Sequence, residues 1–350
     1  MKKTLQKRFL RAAALVIAIA HSTPASAVLT MDYVSVGHAG NAADSTGYGA
    51  VAYAYQIGKY EVTNAQYGEF LNAVDPSGAN ANGVYNANMG SNARGGITYT
   101  AGAASGAKYT IRTSMGDKPV NYVSWYDAAR FTNWLGNGQG AGSTETGAYT
   151  LSASTIDIIT KNVGATVYLP SEDEWYKAAY YDPTAGAGGG DNYWAYPTQS
   201  DTAPAPADAN STGVISNPGA NVANYDNVAD WPTSSATGNV TTVGSAGADN
   251  YFGTADQAGN VYEWNDLVVG SSRGLRGGSS SLSFDYLAAS FRFGLPPALE
   301  NGDVGFRVAS VVASVPVPEP GTFLPAAALV MGALLRRRRP RSPRSGRATA

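Results

Sequence analysis

Residues 256–266 read DQAGNVYEWND, an acid at each end of a Gly-Asn turn, with Glu263 set between Tyr262 and Trp264. A carboxylate flanked by aromatic rings is costly to bury unless a cation or several donors meet it. Two kinds of partner suit it. A hard cation such as calcium takes oxygens at about 2.3–2.6 Å, and a tight turn can aim carboxylates and main-chain carbonyls at one point. Asp256 and Glu263 would then supply charge, and Gly259 and Val261 carbonyls. The other partner is a buried arginine, with Arg276 and Arg307 the candidates.

Upstream, three segments share one plan. After a strand-like run ending at Val62, Thr63 caps a helix with Gln66 three residues on, and Phe70, Leu71 and Val74 fall on one face. Ser124 caps the next, with Asp127 in its first turn, Ala128, Phe131 and Leu135 inward and Gly136 as the stop. In YLPSEDEWYKAAY (168–180) Ser171 and Glu174 form a capping box, Trp175, Ala178 and Ala179 make the buried stripe, and three acids suit the positive end of the helix dipole. All three read as scaffold. Residues 75–107 and 183–223 are rich in turn formers, lack periodicity and read as loop insertions.

The ends are of another kind. A basic run, the apolar AAALVIAIA and the small-residue site ASA mark residues 1–27 as a secretory signal peptide. Residues 313–340 hold Pro318-Glu319-Pro320, an apolar stretch from Thr322 to Leu335 and four arginines, Arg336 to Arg339; 341–350 form a basic tail. The apolar stretch is short for a membrane span but carries a strong positive flank. This order resembles the PEP-CTERM sorting tail of Gram-negative bacteria, which implies transient anchoring, an exosortase-type processing partner, and delivery from periplasm to cell surface or matrix. Between the ends, residues 28–312 keep 12 basic and 25 acidic side chains, a net charge of about −13. Nucleic acid is thereby an unsuitable partner, because no basic face remains to neutralise phosphates. The chain has no cysteine, and His21 and His38 are its two histidines, which removes disulfides, thiolate sites and imidazole-based metal catalysis. With 22 tyrosines and many Gly, Asn and Ser, the body reads as loop-rich and aromatic-packed.

IGKYEVTNAQYGEFLN, PVNYVSWYDAARFTNWL, YLPSEDEWYKAAY, GNVYEW and RGLRGGS with GFRVA, in this order over residues 50–310, resemble the successive motifs of the formylglycine-generating enzyme, or sulfatase-modifying factor, family. The resemblance implies a single α+β domain over 28–312 with a C-type-lectin-like core, few regular strands and about three short helices, supported by calcium. One calcium site of the family corresponds to Asp256, Gly259, Val261 and Glu263. A second would begin at Asn224 through its side chain and Tyr225 through its carbonyl, with Ser235 standing where its downstream acid is expected.

Oxidase members hold copper with two cysteines five residues apart after a GGS triplet; Leu282 and Leu287 stand there. Leucine neither ligates copper nor exchanges disulfides. The iron-binding histidines of the ergothioneine-forming relatives are missing too. Copper and iron are therefore not expected, and calcium is the one cofactor implied. Residues 276–309 also resemble the terminal region of variable ligand-binding proteins on this scaffold. On that likeness Ser280, Ser281, Ser283, Asp285, Tyr286, Phe291 and Phe293 form a candidate ligand face, with packing the expected fate of the two phenylalanines. Two function classes follow. One is a non-catalytic binding or structural module for an extracellular polysaccharide or surface protein. The other is a cysteine-independent oxidoreductase or maturation enzyme acting on a periplasmic or secreted substrate.

Overall fold

A computed structural model describes residues 28–151, 159–184, 190–231, 238–247 and 249–312. The signal peptide, the sorting tail, the basic tail and Ser235 lie outside the described residues. In chain order the elements are β1 (Tyr33–Val36), β2 (Tyr55–Gly58), α1 (Asn64–Val74), α2 (Asn88–Ser91), β3 (Ile97–Tyr99), β4 (Tyr109–Ile111), α3 (Trp125–Gly136), β5 (Val167–Tyr168), α4 (Glu172–Tyr180), β6 (Ala205–Pro206), β7 (Val222–Ala223), β8 (Tyr262–Val269), β9 (Ser272–Arg276), a 3₁₀ turn (Phe284–Leu287), β10 (Phe293–Leu295), β11 (Val304–Phe306) and β12 (Ala309–Val311). The protein is α+β and loop-rich, as expected.

Two four-stranded sheets organise it, in orders β1-β2-β12-β5 and β10-β9-β8-β11. β8 runs antiparallel to β9 and parallel to β11, so Glu263 faces Arg276 on one side and Gly305 on the other. Two residues separate β11 from β12, and through them the chain passes from one sheet to the other. Arg307 stands at that crossing.

The three capped helices form as their sequences indicate. Thr63, Ser124 and Ser171 each close a capping box with Gln66, Asp127 and Glu174. Phe70, Phe131 and Trp134 meet Tyr67 and Phe306 in one aromatic core, with ring centroids 5.1–6.4 Å apart. Trp134, not Leu135, is the deeper of the two neighbours at the end of α3.

Helix α4 differs from its amphipathic reading. Glu172, Glu174 and Lys177 are buried along with Trp175, Ala178 and Ala179. Each polar group has its own partner. Glu174 accepts from the Tyr53 and Tyr168 hydroxyls at 3.0 Å, Glu172 pairs with Arg276 at 2.7 Å, and Lys177 Nζ donates to the His38 carbonyl at 2.9 Å. The 75–107 segment also differs from a plain loop: it carries α2 and β3, and its Val84, Met89 and Ile97 are buried in the core.

Candidate functional site

Glu263 is wholly buried, and its partner is Arg307. Along β8, Tyr262 and Trp264 point to one face and Glu263 to the other, by the two-residue period of a strand. There Arg307 Nε donates to Glu263 Oε2 at 2.5 Å and Nη2 to Oε1 at 2.7 Å, while the Trp175 indole N–H donates to Oε2 at 2.7 Å. The remaining N–H groups of Arg307 go to the carbonyls of Gly58, Lys59 and Ala255 at 3.0–3.1 Å. All five guanidinium donors are used, a bidentate pairing that only arginine can make. Arg276, the cross-strand neighbour of Glu263, turns instead to Glu172 and lies between Tyr48 and Tyr176, 4.8 and 4.9 Å from their ring centroids.

Two more carboxyls stand near this pair. Glu61 is buried, accepts from Asn260 Nδ2 at 3.2 Å through Oε1, and has no hydrogen-bond partner at Oε2. Burial first, and then the charge of Asp256, push the Glu61 carboxyl well above the usual range. Asp256 accepts from the Gly244 N–H; burial raises it to about 6, against the pull of that hydrogen bond and of Arg307. The Arg307 guanidinium thus bonds Glu263 and acts on Glu61 and Asp256 through its charge, while burial disfavours the charged form of Glu61.

At Glu263 a guanidinium and an indole N–H meet the oxygens that the expected calcium ion would use, so of the two kinds of partner the arginine is the one in contact. Gly259 instead has a packing role. It lies at φ +80° against the Asn224 carbonyl, where a Cβ would come within 2.0 Å. Asn224 has a different environment. Its Nδ2 faces the Asn239 carbonyl, Thr241 Oγ1 and Asn260 Oδ1 at 2.8–3.2 Å, while its own Oδ1 is buried without a hydrogen bond. That is an excess of acceptors, and flipping the amide would not cure it. The Tyr225 hydroxyl donates to the Pro204 carbonyl at 2.6 Å.

After β9, Leu287 is fully buried among Ala223, Tyr225 and Ala258, and Leu282 packs partly buried on the main core. Gly278, at φ +72°, is held there because a Cβ would stand 2.5 Å from Leu287 Cδ2. Around Ser281 the polar groups satisfy one another. Ser281 Oγ donates to Asp303 at 2.9 Å, and Arg94 reaches both Asp303 and Asn227 at 3.0 Å. Of the candidate ligand face, Ser280 is only 1% exposed and so turns inward, whereas Asp285 is exposed and Ser281, Ser283 and Tyr286 are half-buried.

Phe293 contradicts its expected packing. It is 43% exposed on β10, stacked on Tyr262 at 6.0 Å, and Phe284, which sequence reasoning passed over, is 41% exposed. Tyr286 meets Phe291 edge-on at 4.6 Å. Burial, then the neighbouring Tyr286, push the Tyr262 hydroxyl up. Phe284 had no periodic signal, because it sits in a 3₁₀ turn that no apolar spacing announces.

The fold is a loop-rich α+β domain with Leu287 sealed in its interior and Leu282 partly buried. The profile of the sulfatase-modifying factor enzyme 1-like domain matches residues 34–312, and the chain belongs to that family. Solved structures with similarity include Treponema denticola variable protein 1 (21% identity, 81% of this chain and 95% of that one, TM-score 0.44) and CarF (21% identity, 81% and 99%, TM-score 0.47). PvdO from Pseudomonas aeruginosa is similar at 16% identity over 80% and 92% of the chains, with a TM-score of 0.40. No curated protein sequence matches the chain.

Proposed function

We propose that the chain is an exported, non-catalytic binding module of this family. It acts at the cell surface or matrix of a Gram-negative bacterium after exosortase-type processing, and it captures an extracellular polysaccharide or surface protein. The observation that carries the reading is Leu287. At a position where oxidase relatives keep a reactive thiol, this chain has an alkyl group with no exposure, packed on alanines and a tyrosine. Next to it, Ser281, Asp303, Arg94 and Asn227 are occupied with each other rather than converging on open space.

The face that remains is the half-buried and exposed set of Ser281, Ser283, Phe284, Asp285, Tyr286 and Phe293. Aromatic rings fixed by stacking, with small polar neighbours, suit recognition at low entropic cost. The test is a glycan and surface-protein binding screen on residues 28–312. Phe293→Ala is expected to weaken the captured ligand by about tenfold or more, since exposed aromatic anchors carry most of such an interface. Aldehyde formation on a cysteine-containing sulfatase peptide, or dioxygen uptake with a peptide thiol, would overturn the reading in favour of an oxidoreductase.

Calcium enters through Asn224 and Tyr225 more readily than through Glu263. The support is the partnerless Asn224 Oδ1, a carbonyl-type oxygen of the kind calcium selects. For Asp256, Gly259, Val261 and Glu263 to serve, Arg307 would first have to release Glu263. Melting of the domain with and without calcium separates these cases: a rise in Tm that survives Glu263→Gln but is lost in Asn224→Ala assigns the ion to the second position.

A further inference from the structure

A separate cleft of about 360 Å³ opens between residues 44–46, residues 191–196 with Asp201, and residues 288–290. Its volume lies at the small end of the range of ligand pockets, about 300–1,000 Å³. Three carboxyl groups, from Asp44, Asp191 and Asp201, line it together with the half-buried Trp194 and Tyr196 and the buried Tyr193. Among the described residues no lysine, arginine or histidine lines it. An anionic ligand is therefore disfavoured, and the local field suits a cation.

The cleft is built and held, not a gap between loops. Tyr193 donates its hydroxyl to the carbonyls of Ala42 and Gly49, at 2.8 and 3.0 Å, and its ring packs on Tyr176 and Tyr181. Gly49 lies at φ +88° against that ring, where a Cβ would come within 2.7 Å. The Trp194 indole N–H is tied to Asp182 at 3.3 Å and its amide to the Tyr180 carbonyl, and Ala289 N–H donates to the Ala195 carbonyl. The segments on either side of the cleft are thus bonded to the body and to each other.

The acids divide by role. Asp44 is committed to the loop. Its oxygens accept from Thr46, from the Tyr48 N–H and from the Tyr176 hydroxyl, and although burial opposes its charge these bonds hold it below the usual carboxylate range. Asp191 accepts from Tyr193 N–H at 3.0 Å through Oδ1, and through Oδ2 has only a 3.4 Å contact with Ser45 N–H. Asp201 is exposed and accepts from Ala195 N–H at 3.0 Å through Oδ1. A bare metal ion fits this poorly, because calcium wants six to eight oxygens and those of Asp44 are already committed to its own loop and to Tyr176. A cation with a flat or ring-shaped body fits better, with its charge against the acids and its apolar face on the rings.

We propose that this cleft binds an amino sugar, with the protonated amine against Asp191 and Asp201 and the pyranose ring against Trp194. The proposal is independent of the Phe293 face, which lies on other residues. Its test uses residues 28–312 and three β-1,4-linked disaccharides that differ only at C2: the glucosamine dimer, its N-acetylated form and the plain glucose dimer. Binding is followed by ligand-observed NMR and calorimetry at about pH 6, below the ordinary range for a free amine. The glucosamine dimer is expected to bind at least about tenfold tighter than the other two, and to weaken as salt screens the carboxylates. Asp201→Asn keeps the acceptor for Ala195 and is expected to remove most of that preference. Trp194→Ala should weaken all three disaccharides, and Phe293→Ala should change none. Equal affinity for the three sugars overturns the proposal, as does absence of binding by the glucosamine dimer while the domain retains its native melting transition. Capture of a ligand through the Phe293 face would stand in either case.

Discussion

Glu263 and Arg307 meet with neither partner exposed to water, and such a pair is strongly asymmetric in its energetics. Removing one member strands a charge, whereas replacing both with apolar groups can be neutral. Glu263→Gln is expected to destabilise the domain by about 3–5 kcal/mol in urea unfolding. Combining it with Arg307→Met should recover part of that loss, and a double-mutant cycle reads the coupling. Additive losses would mean that Arg307 is held by its three carbonyls rather than by the carboxylate. Two arginines met the sequence requirement for a partner. The choice was made by the crossing between sheets, which delivers Arg307 to Glu263 while Arg276 is drawn to Glu172 on α4.

Helix α4 shows how far local signals reach. Its start is fully legible, because Ser171, Glu174 and Pro170 are adjacent in sequence and a capping box needs nothing else. Ser171→Ala should cost about 0.5–2 kcal/mol by denaturant titration. The burial of its polar face was not legible, since of its partners Tyr168 alone is near in sequence, while Tyr53, Arg276 and His38 come from distant segments. Burial lowers the Lys177 amine to about 8, a folded value below that of the free side chain. The sign follows. Below pH 8 the folded state bears the full cost of the buried charge, and as pH rises toward the unfolded value of about 10.4 the penalty is relieved. Lys177→Met, which keeps the apolar stem, is expected to raise Tm most at pH 7, with the gain over wild type shrinking as pH approaches 10. A gain independent of pH would show that the amine stays fully solvated.

Across the whole molecule, stability and recognition are carried by different residues. Leu287 is sealed in, so Leu287→Ala is expected to cost about 2–5 kcal/mol through the cavity it leaves. Phe284 and Phe293 are more than 40% exposed, and their alanine variants should lie within about 0.5 kcal/mol of wild type in the same assay. If Phe293→Ala unfolded the domain, its ring would be part of the core and not a recognition surface. Ser280 and Phe293 changed places relative to their sequence reading. Alternation along a strand says which residues share a face, but not which face the rest of the fold leaves open.

The sequence by itself determined the family, the α+β class, the three helix starts and the absence of thiol chemistry, because each depends on residue identity or on neighbours within a few positions. The tertiary structure alone decided which arginine neutralises Glu263, that Glu61 is buried beside it, that Ser280 turns inward, and that a carboxylate-and-aromatic cleft forms from residues 44–46, 191–201 and 288–290, which are distant in sequence. Burial and electrostatic partnership are properties of the assembled space around a side chain, and in this loop-rich fold that space is built from distant pieces of chain with no periodicity to announce them.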